Sequence, residues 1–262
     1  MLRALYTSST GMMTQQSNID NIANNLANVN TVGFKKARVD FQDLMYQTIK
    51  PAGSSTSAGI TRPVGEQLGL GARVAGVTKM HTQGSFMQTG NQLDLTIEGA
   101  GYFQIDMPDG TIAYTRNGAF TKNNEGQVVT VDGFTLNPGI VIPDNAEQIF
   151  IGQDGTVTAK IAGEVDPADL GQITTARFIN PAGLHSIGSN FYKESAASGA
   201  PLVGVPGQES LGAIAQGYLE MSNVQLVEEM VNMITGQRAY EINSKAIITG
   251  DEMLQTATNL KR

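Results

Sequence analysis

The chain ends in the stretch SNVQLVEEMVNMITGQRAYEINSKAIITGDEMLQTATNLKR (residues 222–262), which decides its organisation. Ser222 followed three residues later by Gln225 is the pattern of a capping box, so a long helix is predicted to begin there. An apolar stripe recurs at helical spacing along it. Its members are Val227, Val231, Ile234, Ile242 and Met253. A helix of about 35 residues extends roughly 50 Å, so it needs partners along its whole length.

The first residues of the chain offer a partner for this helix. An apolar residue recurs there every seven positions, at Leu5, Met12, Ile19 and Leu26. Gly, Ser and Asn are frequent between them and form helices poorly, so packing has to stabilise this segment. We therefore predict that the two terminal helices pair, within one chain or between copies, with these four residues facing the apolar stripe of the C-terminal helix.

The segments between the two helices differ in composition. Residues 51–66 (PAGSSTSAGITRPVGE) contain almost no large apolar residue, which is typical of a loop or an extended arm. This arm is either a flexible linker or a packed interface element. From Leu68 onward, short apolar segments alternate with turns, as in a mainly-β domain. Hairpin turns are predicted at Pro108-Asp109-Gly110, Asn117-Gly118, residues 123–126, Asp132-Gly133 and Asp154-Gly155.

The predicted fold class is therefore α+β. The N- and C-terminal α-helices pair in a coiled-coil-like domain, and a mainly-β domain lies between them in the sequence. The predicted boundaries are residues 1–30 for the N-terminal helix, 31–66 for the connecting arm, 67–217 for the central β domain and 218–262 for the C-terminal helix.

Composition excludes several classes of function. The net charge is −7 and no cluster of Lys and Arg occurs, which argues against nucleic-acid binding. The sequence contains no Cys, which excludes disulfides, thiolate metal sites and a thiol nucleophile. No apolar run reaches the roughly 20 residues that span a bilayer. The N-terminus also lacks the apolar core of a cleavable signal peptide.

No constellation of catalytic residues is recognisable either. The sequence has no G-x-S-x-G, G-x-x-x-x-G-K-[ST] or H-E-x-x-H motif. Gly99 and Gly101 form only a bare G-x-G, which is typical of a turn. We therefore predict no enzyme, no catalytic residue, no cofactor and no metal site. The surplus of apolar surface on the helices favours a self-assembling structural protein over a β-rich binding module.

Three ordered blocks of sequence resemble bacterial flagellar rod and hook proteins, and together they extend over essentially the whole chain. The N-terminal block is residues 23–35, with the motif residues Asn24, Asn25, Leu26, Ala27, Asn28, Gly33, Phe34 and Lys35. The central block comprises residues 90–103 and 114–120. The C-terminal block comprises residues 222–224 and the motif residues Gln237, Arg238, Ala239 and Tyr240.

The resemblance implies a structural subunit of a helical polymer. Within the family, the length, the Met1-Leu2-Arg3 start and the arm resemble the distal-rod members, which form a rigid hollow shaft that transmits torque and conducts exported proteins. It implies passage through the flagellar type III export apparatus without a cleavable signal peptide, into a rod that spans the periplasm. The implied partners are further copies of the chain, proximal rod and hook proteins, the P- and L-ring proteins and the rod cap, without nucleic acid or direct membrane insertion.

The resemblance also implies roles for the segments described above. The terminal helices would form the inner wall of the polymer and the seam between subunits. The arm would stiffen the polymer by bridging neighbours, through Pro51, Ser54, Ser55, Gly59 and Pro63. The alternatives are a proximal rod member, a hook-type protein and, in a different class, a secreted β-rich adhesion or binding module.

Overall fold

The computed structural model describes residues 2–53, 55–57, 60–61, 63–163, 166–208 and 210–259. One α-helix lies near each end of the sequence: α1 spans Leu2–Ala27 and α2 spans Leu226–Asn259. The region between them is mainly β-structure, which confirms the predicted α+β class. Within the described residues, no helix is both long and apolar enough to cross a membrane.

The chain divides into two compact units. One unit combines α1, the segment Ala37–Lys79 and α2, and we call it the helical unit. The other combines Asn28–Lys36 with Met80–Val224, and we call it the body. α1 ends at Ala27, before the predicted boundary at residue 30, and α2 begins at Leu226, after the predicted boundary at residue 218. Ser222 Oγ accepts a hydrogen bond from the Val224 N–H at 3.3 Å, and the helix does not begin at Ser222 as predicted.

The helical unit contains one long antiparallel hairpin, the hairpin arm (residues 37–79). Its strands are β1 Ala37–Asp43, β2 Tyr46–Lys50, β3 Ser55–Ser57, β4 Ile60–Thr61, β5 Glu66–Gly69 and β6 Ala72–Lys79. They pair as nested ladders, β1 with β6, β2 with β5 and β3 with β4. α1 contacts β1, β6 and α2.

The hairpin arm changes the predicted boundary at residue 66. The strands β5 and β6 pair with β2 and β1, so residues 67–79 belong to the arm and not to the body. Alternation of apolar and polar residues identifies a half-buried strand but does not show which strand pairs with it. Partner and register depend on the turn that joins the two strands. The boundary therefore follows the pairing of the strands and not the change in composition.

The body contains the remaining strands and one 3₁₀ turn at Pro181–Gly183. The strands are β7 Phe86–Gln88, β8 Leu95–Glu98, β9 Tyr102–Asp106, β10 Ile112–Thr115, β11 Phe120–Lys122, β12 Val128–Thr130, β13 Thr135–Asn137, β14 Ala146–Ile151, β15 Thr156–Ile161, β16 Ala168–Gln172, β17 Thr175–Arg177, β18 His185–Gly188, β19 Phe191–Lys193, β20 Leu202–Gly204, β21 Ala213–Gln216 and β22 Tyr218–Glu220.

The largest sheet of the body is built around β9. Its strand order is β11-β12-β13-β9-β10-β19-β18, and β17 pairs with both β9 and β20. Phe103 of β9 pairs with residues of β10 and β17, and Ile105 pairs with residues of β10 and β13. Smaller sheets contain β14-β15-β16, β8-β21 and β7-β22.

The core of the body lies against this central strand. Phe103 and Ile105 are completely buried and belong to one apolar cluster. Its other buried members include Leu95, Ile97, Phe120, Leu136, Ile140, Val157 and Ile214. A second cluster is aromatic and contains Tyr102, Tyr114, Phe178 and Tyr192. The body therefore buries its own apolar residues, as a separate folding unit should.

Four of the five predicted hairpin turns join paired strands. They connect β9 to β10, β11 to β12, β12 to β13 and β14 to β15. The prediction was wrong for Asn117-Gly118, because β10 and β11 pair with other strands. Gly118 serves a different purpose, since a Cβ there would lie 1.7 Å from the Leu95 carbonyl oxygen. A close backbone approach, and not a tight turn, requires this glycine.

Candidate assembly surfaces

The helices α1 and α2 pack against each other in antiparallel order. Four contacts follow each other in opposite directions along the two helices: Leu5 with Gly250, Gly11 with Asn243, Ile19 with Gly236 and Asn25 with Glu229. The α2 members of these contacts are spaced seven residues apart. A heptad repeat therefore sets the contact on α2, as in a coiled coil.

Small residues of α2 set the distance between the helices. A Cβ added to Gly236 would lie 3.3 Å from Ile19 Cγ1, and one added to Gly250 would lie 2.8 Å from Leu5 Cδ2. Both distances are shorter than ordinary van der Waals contact. The close approach of α1 therefore requires that α2 has glycine, which lacks a side chain, at these two positions.

The predicted apolar stripe of α2 does not face α1 in the single chain. Val227 is 74%, Ile242 67% and Ile234 56% exposed, and Val231 and Met253 are also exposed. At about 100° per residue, Val227, Val231 and Ile234 lie on the side of α2 opposite Gly236, whereas Ile242 and Met253 lie on its flank. We call the five residues the uncovered face of α2. Within the chain, Gly236 and Gly250 of α2 take the contact with Ile19 and Leu5. The role of these five residues in a seam with Leu5, Met12, Ile19 and Leu26 stays a prediction.

Asn25, one of the family-motif residues, joins three elements of the helical unit. Its side-chain oxygen accepts from the Ala37 N–H at 2.9 Å, and its amide nitrogen donates to the Ala37 carbonyl at 2.8 Å. The same nitrogen lies 3.3 Å from Glu229 Oε2 in the first turn of α2. Asn21 donates a further hydrogen bond to the Ala37 carbonyl at 2.8 Å. Asn25 therefore holds the start of β1 against the end of α1.

The body contains a buried cluster of three charges. Lys35 Nζ donates to Glu220 Oε1 at 2.5 Å and to the Thr82 carbonyl at 2.7 Å. Arg116 Nη1 lies 3.3 Å from Glu220 Oε2 and donates to the Ile97 carbonyl at 3.0 Å. The side chains of Lys35 and Glu220 are each 1% exposed. The cluster joins residues that lie 81 and 104 positions apart in the sequence.

Burial determines the electrostatics of this cluster. Removal from water lowers the pKa of Lys35, and the neighbouring Glu220 carboxylate opposes that shift. One carboxylate serves two cationic side chains, and the Arg116 guanidinium also bonds to the Gly99 carbonyl. Ions removed from water need a counter-charge, so loss of Glu220 would leave two buried cations without one.

The N-terminal and central motif blocks also meet in the body. Gly33 has a φ of +71°, and a Cβ there would lie 2.7 Å from the Asn117 backbone nitrogen. Its N–H donates to the Glu220 carbonyl at 2.7 Å. Residues from three distant parts of the sequence therefore share one small region, and both the conformation and the space at position 33 require glycine.

The other motif residues are distributed over both units. On α2, Gln237, Arg238 and Tyr240 are exposed and Ala239 is partly buried. Arg238 forms an ion pair with Glu241 at 3.0 Å, which contributes little because both side chains are exposed. In the N-terminal block, Asn24 and Ala27 are exposed, whereas Leu26, Asn28 and Phe34 are partly buried.

Of the predicted stiffening residues, Pro51, Ser55 and Pro63 lie toward the tip of the hairpin arm. Pro51 and Pro63 are exposed, and the backbone of Ser55 belongs to β3. Ser54 and Gly59 lie outside the described residues. Exposed apolar side chains continue along the arm, at Phe41, Met45, Tyr46, Ile49, Val64, Leu68 and Val77. The arm therefore carries apolar surface that the described residues of the chain do not cover.

Sequence reasoning missed Arg116 and Glu220 as members of a buried cluster. Each charge interrupts an otherwise uncharged segment of the sequence, AYTRNGAF for Arg116 and GYLEMS for Glu220, and that interruption was the available signal. Elsewhere in the body, the Tyr102 hydroxyl lies 2.7 Å from His81 Nδ1. Among the described residues, no group of three or more His, Cys, Asp or Glu is placed to hold a metal ion.

Comparison with known families identifies the class of protein. The family model described as flagella basal body rod protein matches residues 5–35, that of the flagellar hook protein FlgE/F/G D1 domain matches residues 96–159, and that of the flagellar basal body rod FlgEFG protein C-terminal matches residues 215–260. The matches include most of both helices and part of the body. They define a structural protein of the bacterial flagellum.

Comparison with individual proteins narrows this class. The chain is 50% identical to the flagellar basal-body rod protein FlgG of Borreliella burgdorferi over the full length of both. It is 49% identical to the FlgG of Agrobacterium fabrum over 99% of this chain and all of that protein. It is 46% identical to the FlgG of Bacillus subtilis over the full length of both. The chain belongs to the flagellar basal-body rod protein family.

Proposed function

We propose that this chain is a subunit of the distal part of the flagellar rod. Copies polymerise into a rigid hollow shaft that carries torque from the motor to the hook and conducts exported proteins. The relatives that match the chain over its whole length carry the name of a basal-body rod protein. Their names support the rod assignment, and the surface of the helical unit supports polymerisation.

The uncovered face of α2 is the observation that carries this proposal. Its five residues are exposed, although α2 already has one packed face against α1. Burial of apolar surface stabilises by about 25 cal/mol per Å², so a row of exposed Val and Ile side chains favours contact with another apolar surface. In a homopolymer, a neighbouring copy of the same chain can provide such an apolar surface.

The mode of contact follows from the position of this face. The uncovered face extends from the side of α2 opposite the α1 contact to its flank, so α2 can contact its own chain and a neighbour at once. An interface between two different surfaces of identical subunits generates a helical filament when its rotation does not close a ring. We propose that Leu5, Met12, Ile19 and Leu26 hold the pair within the subunit, while the uncovered face forms the seam between subunits.

The hairpin arm has a second role in this proposal. Its described strands pair in three nested antiparallel ladders, and exposed apolar side chains follow the arm from Phe41 to Val77. An isolated two-stranded ribbon is marginally stable in water, so contact with neighbours would stabilise it. We propose that the arm bridges adjacent subunits and stiffens the polymer through Pro51, Ser54, Ser55, Gly59 and Pro63.

Membership of the family implies assembly in the basal body with other flagellar components. We propose as specific partners the proximal rod and hook proteins, the P- and L-rings, the rod cap and the type III export apparatus. We also propose that the subunit reaches a periplasm-spanning rod without a cleavable signal peptide. Rod proteins of this family are structural, and the proposed role requires no catalysis.

Replacement of Ile234 tests the proposed seam. Ile234→Asp places a charge on the uncovered face, so polymerisation of the purified chain should be lost, measured by sedimentation and electron microscopy. Ile234→Leu keeps the apolar surface and should polymerise normally. The near-ultraviolet circular dichroism of the body tyrosines should be unchanged in both. Polymerisation of the Asp variant at the concentration that suffices for the unmodified chain would overturn the proposal.

A further inference from the structure

Three chain segments meet in the body at the points where the chain passes to the helical unit. Residues 33–36 continue into β1, residues 80–84 follow β6, and residues 220–224 lead into α2. All three segments belong to the body itself. The Met80 N–H donates to the Lys36 carbonyl at 2.8 Å, so the first two segments already contact each other.

The side chain of Asn223 binds both of the other segments. Its oxygen accepts from the Lys36 N–H at 2.7 Å. Its amide nitrogen donates to the Met80 carbonyl at 2.8 Å and to Thr82 Oγ1 at 2.9 Å. One side chain thus connects the strand that leaves for the hairpin arm, the strand that returns from it and the segment that enters α2.

Glu220, three residues earlier, repeats this arrangement at greater depth. Its Oε1 accepts from Lys35 Nζ and, at 3.0 Å, from the Gly84 N–H. Its backbone carbonyl accepts from the Gly33 N–H at 2.7 Å. The segment 220–224 therefore holds the other two segments at two levels, first by charge and then, nearer the exits, by the Asn223 amide.

We propose that Asn223 is a positioning residue that clamps the three exits of the body together. We call this group of hydrogen bonds the exit clamp (Lys36, Met80, Thr82 and Asn223). A carboxamide offers acceptor and donor groups in one plane, and the contacts of Asn223 use both. Aspartate could keep the bond from Lys36 but would turn an acceptor toward the Met80 carbonyl. An apolar residue would leave all three partners unpaired.

The clamp fixes the points from which the hairpin arm and α2 continue. Without it, each exit segment could separate from the body locally, while the core around Phe103 and Ile105 stays folded. In a rod that carries torque, such separation would make each subunit a flexible link. This consequence rests on the proposed function, whereas the clamp itself is a property of the single chain.

Amide hydrogen exchange of the full-length chain in dilute solution tests the clamp. In Asn223→Ala, the amides of Lys36 and Met80 should exchange at least about tenfold faster, since a hydrogen bond contributes about 1 kcal/mol and several are lost. The amides of Val128 and Ile142 donate to carbonyls elsewhere in the body, at 3.1 and 2.7 Å, and should exchange at unchanged rates. Asn145→Ala, at an exposed position, is the matched control and should change none of them.

Two results would overturn the proposal. Unchanged exchange at Lys36 and Met80 would mean that Asn223 does not hold these segments. Equal acceleration of all four amides would mean that it only adds to the global stability of the body. Thr82→Val removes a single acceptor at an exposed position, so it provides a milder second variant. It should accelerate exchange at Met80 by a few-fold, and no acceleration would likewise count against the clamp. Because the chain is measured unassembled, failure of polymerisation does not affect these outcomes.

Discussion

Neutralising Glu220 should destabilise the body more than any surface charge change. Glu220→Gln keeps the size of the side chain but removes the charge that faces Lys35 Nζ and Arg116 Nη1. The variant would therefore bury positive charge without a counter-ion. The amide NH₂ of the new glutamine would also face one of the two cationic donors, so that no hydrogen bond forms there.

The expected magnitude follows from the burial of the cluster. Removing one partner of a buried ion pair costs about 3–5 kcal/mol, because the remaining charge is left desolvated. For a unit of this size, 1 kcal/mol shifts the melting temperature by about 2–4 °C, so we expect a decrease of roughly 10 °C. The exposed pair between Lys122 and Asp144 is the matched control within the body. Asp144→Asn should change the stability by less than about 1 kcal/mol.

Urea unfolding followed by the near-ultraviolet circular dichroism of tyrosine measures these differences. The double variant Lys35→Met with Glu220→Gln should recover part of the loss, because it removes one of the two uncompensated cations. If Glu220→Gln unfolds within 1 kcal/mol of Asp144→Asn, the charge cluster does not stabilise the body. Additive losses in the double variant would show that Lys35 and Glu220 do not interact.

Three further predictions concern the helical unit, the pH dependence of the body and the arm. Asn25→Ala should destabilise the helical unit by about 2–3 kcal/mol, because it removes two hydrogen bonds between the buried Asn25 side chain and the Ala37 backbone. A change below about 0.5 kcal/mol in thermal unfolding contradicts this. Burial raises the pKa of Tyr192 to about 12, whereas an exposed tyrosine titrates near 10. The folded body therefore retains a proton that the unfolded chain loses, and stability should fall as pH rises from about 10 to about 12. Tyr192→Phe should flatten that slope in urea unfolding at stepped pH, and an identical slope would refute the assignment. Deleting residues 51–66 from the arm should give polymers that bend more in electron micrographs, and unchanged stiffness would show that the arm is only a linker.

The sequence predicted the elements of the helical unit better than their contacts. Hydrophobic periodicity identified both helices, because it depends only on the chain itself. It did not identify the face of α2 that packs on α1, because both faces are apolar and the close contact is made at Gly236 and Gly250. Large apolar residues indicate surfaces that are buried in a contact, whereas small residues indicate where a second helix can pack closely.

The hairpin arm and the charge cluster show a second limit. Composition located the tip of the arm, but the return strands β5 and β6 read as part of the next domain, since alternation does not name a partner. Lys35, Arg116 and Glu220 are ordinary charged residues in the sequence, and only the fold brings them together. The resemblance of three sequence blocks identified the family correctly without indicating that two of those blocks supply one buried ion cluster.

A structure of the assembled polymer tests the central claim most directly. Cryo-electron microscopy of filaments grown from the purified chain would resolve the surroundings of α2. We predict that Val227, Val231, Ile234, Ile242 and Met253 lie buried against a neighbouring copy, while Gly236 and Gly250 keep their contact with α1 of the same chain. Filaments in which those five side chains remain exposed to solvent would contradict the account.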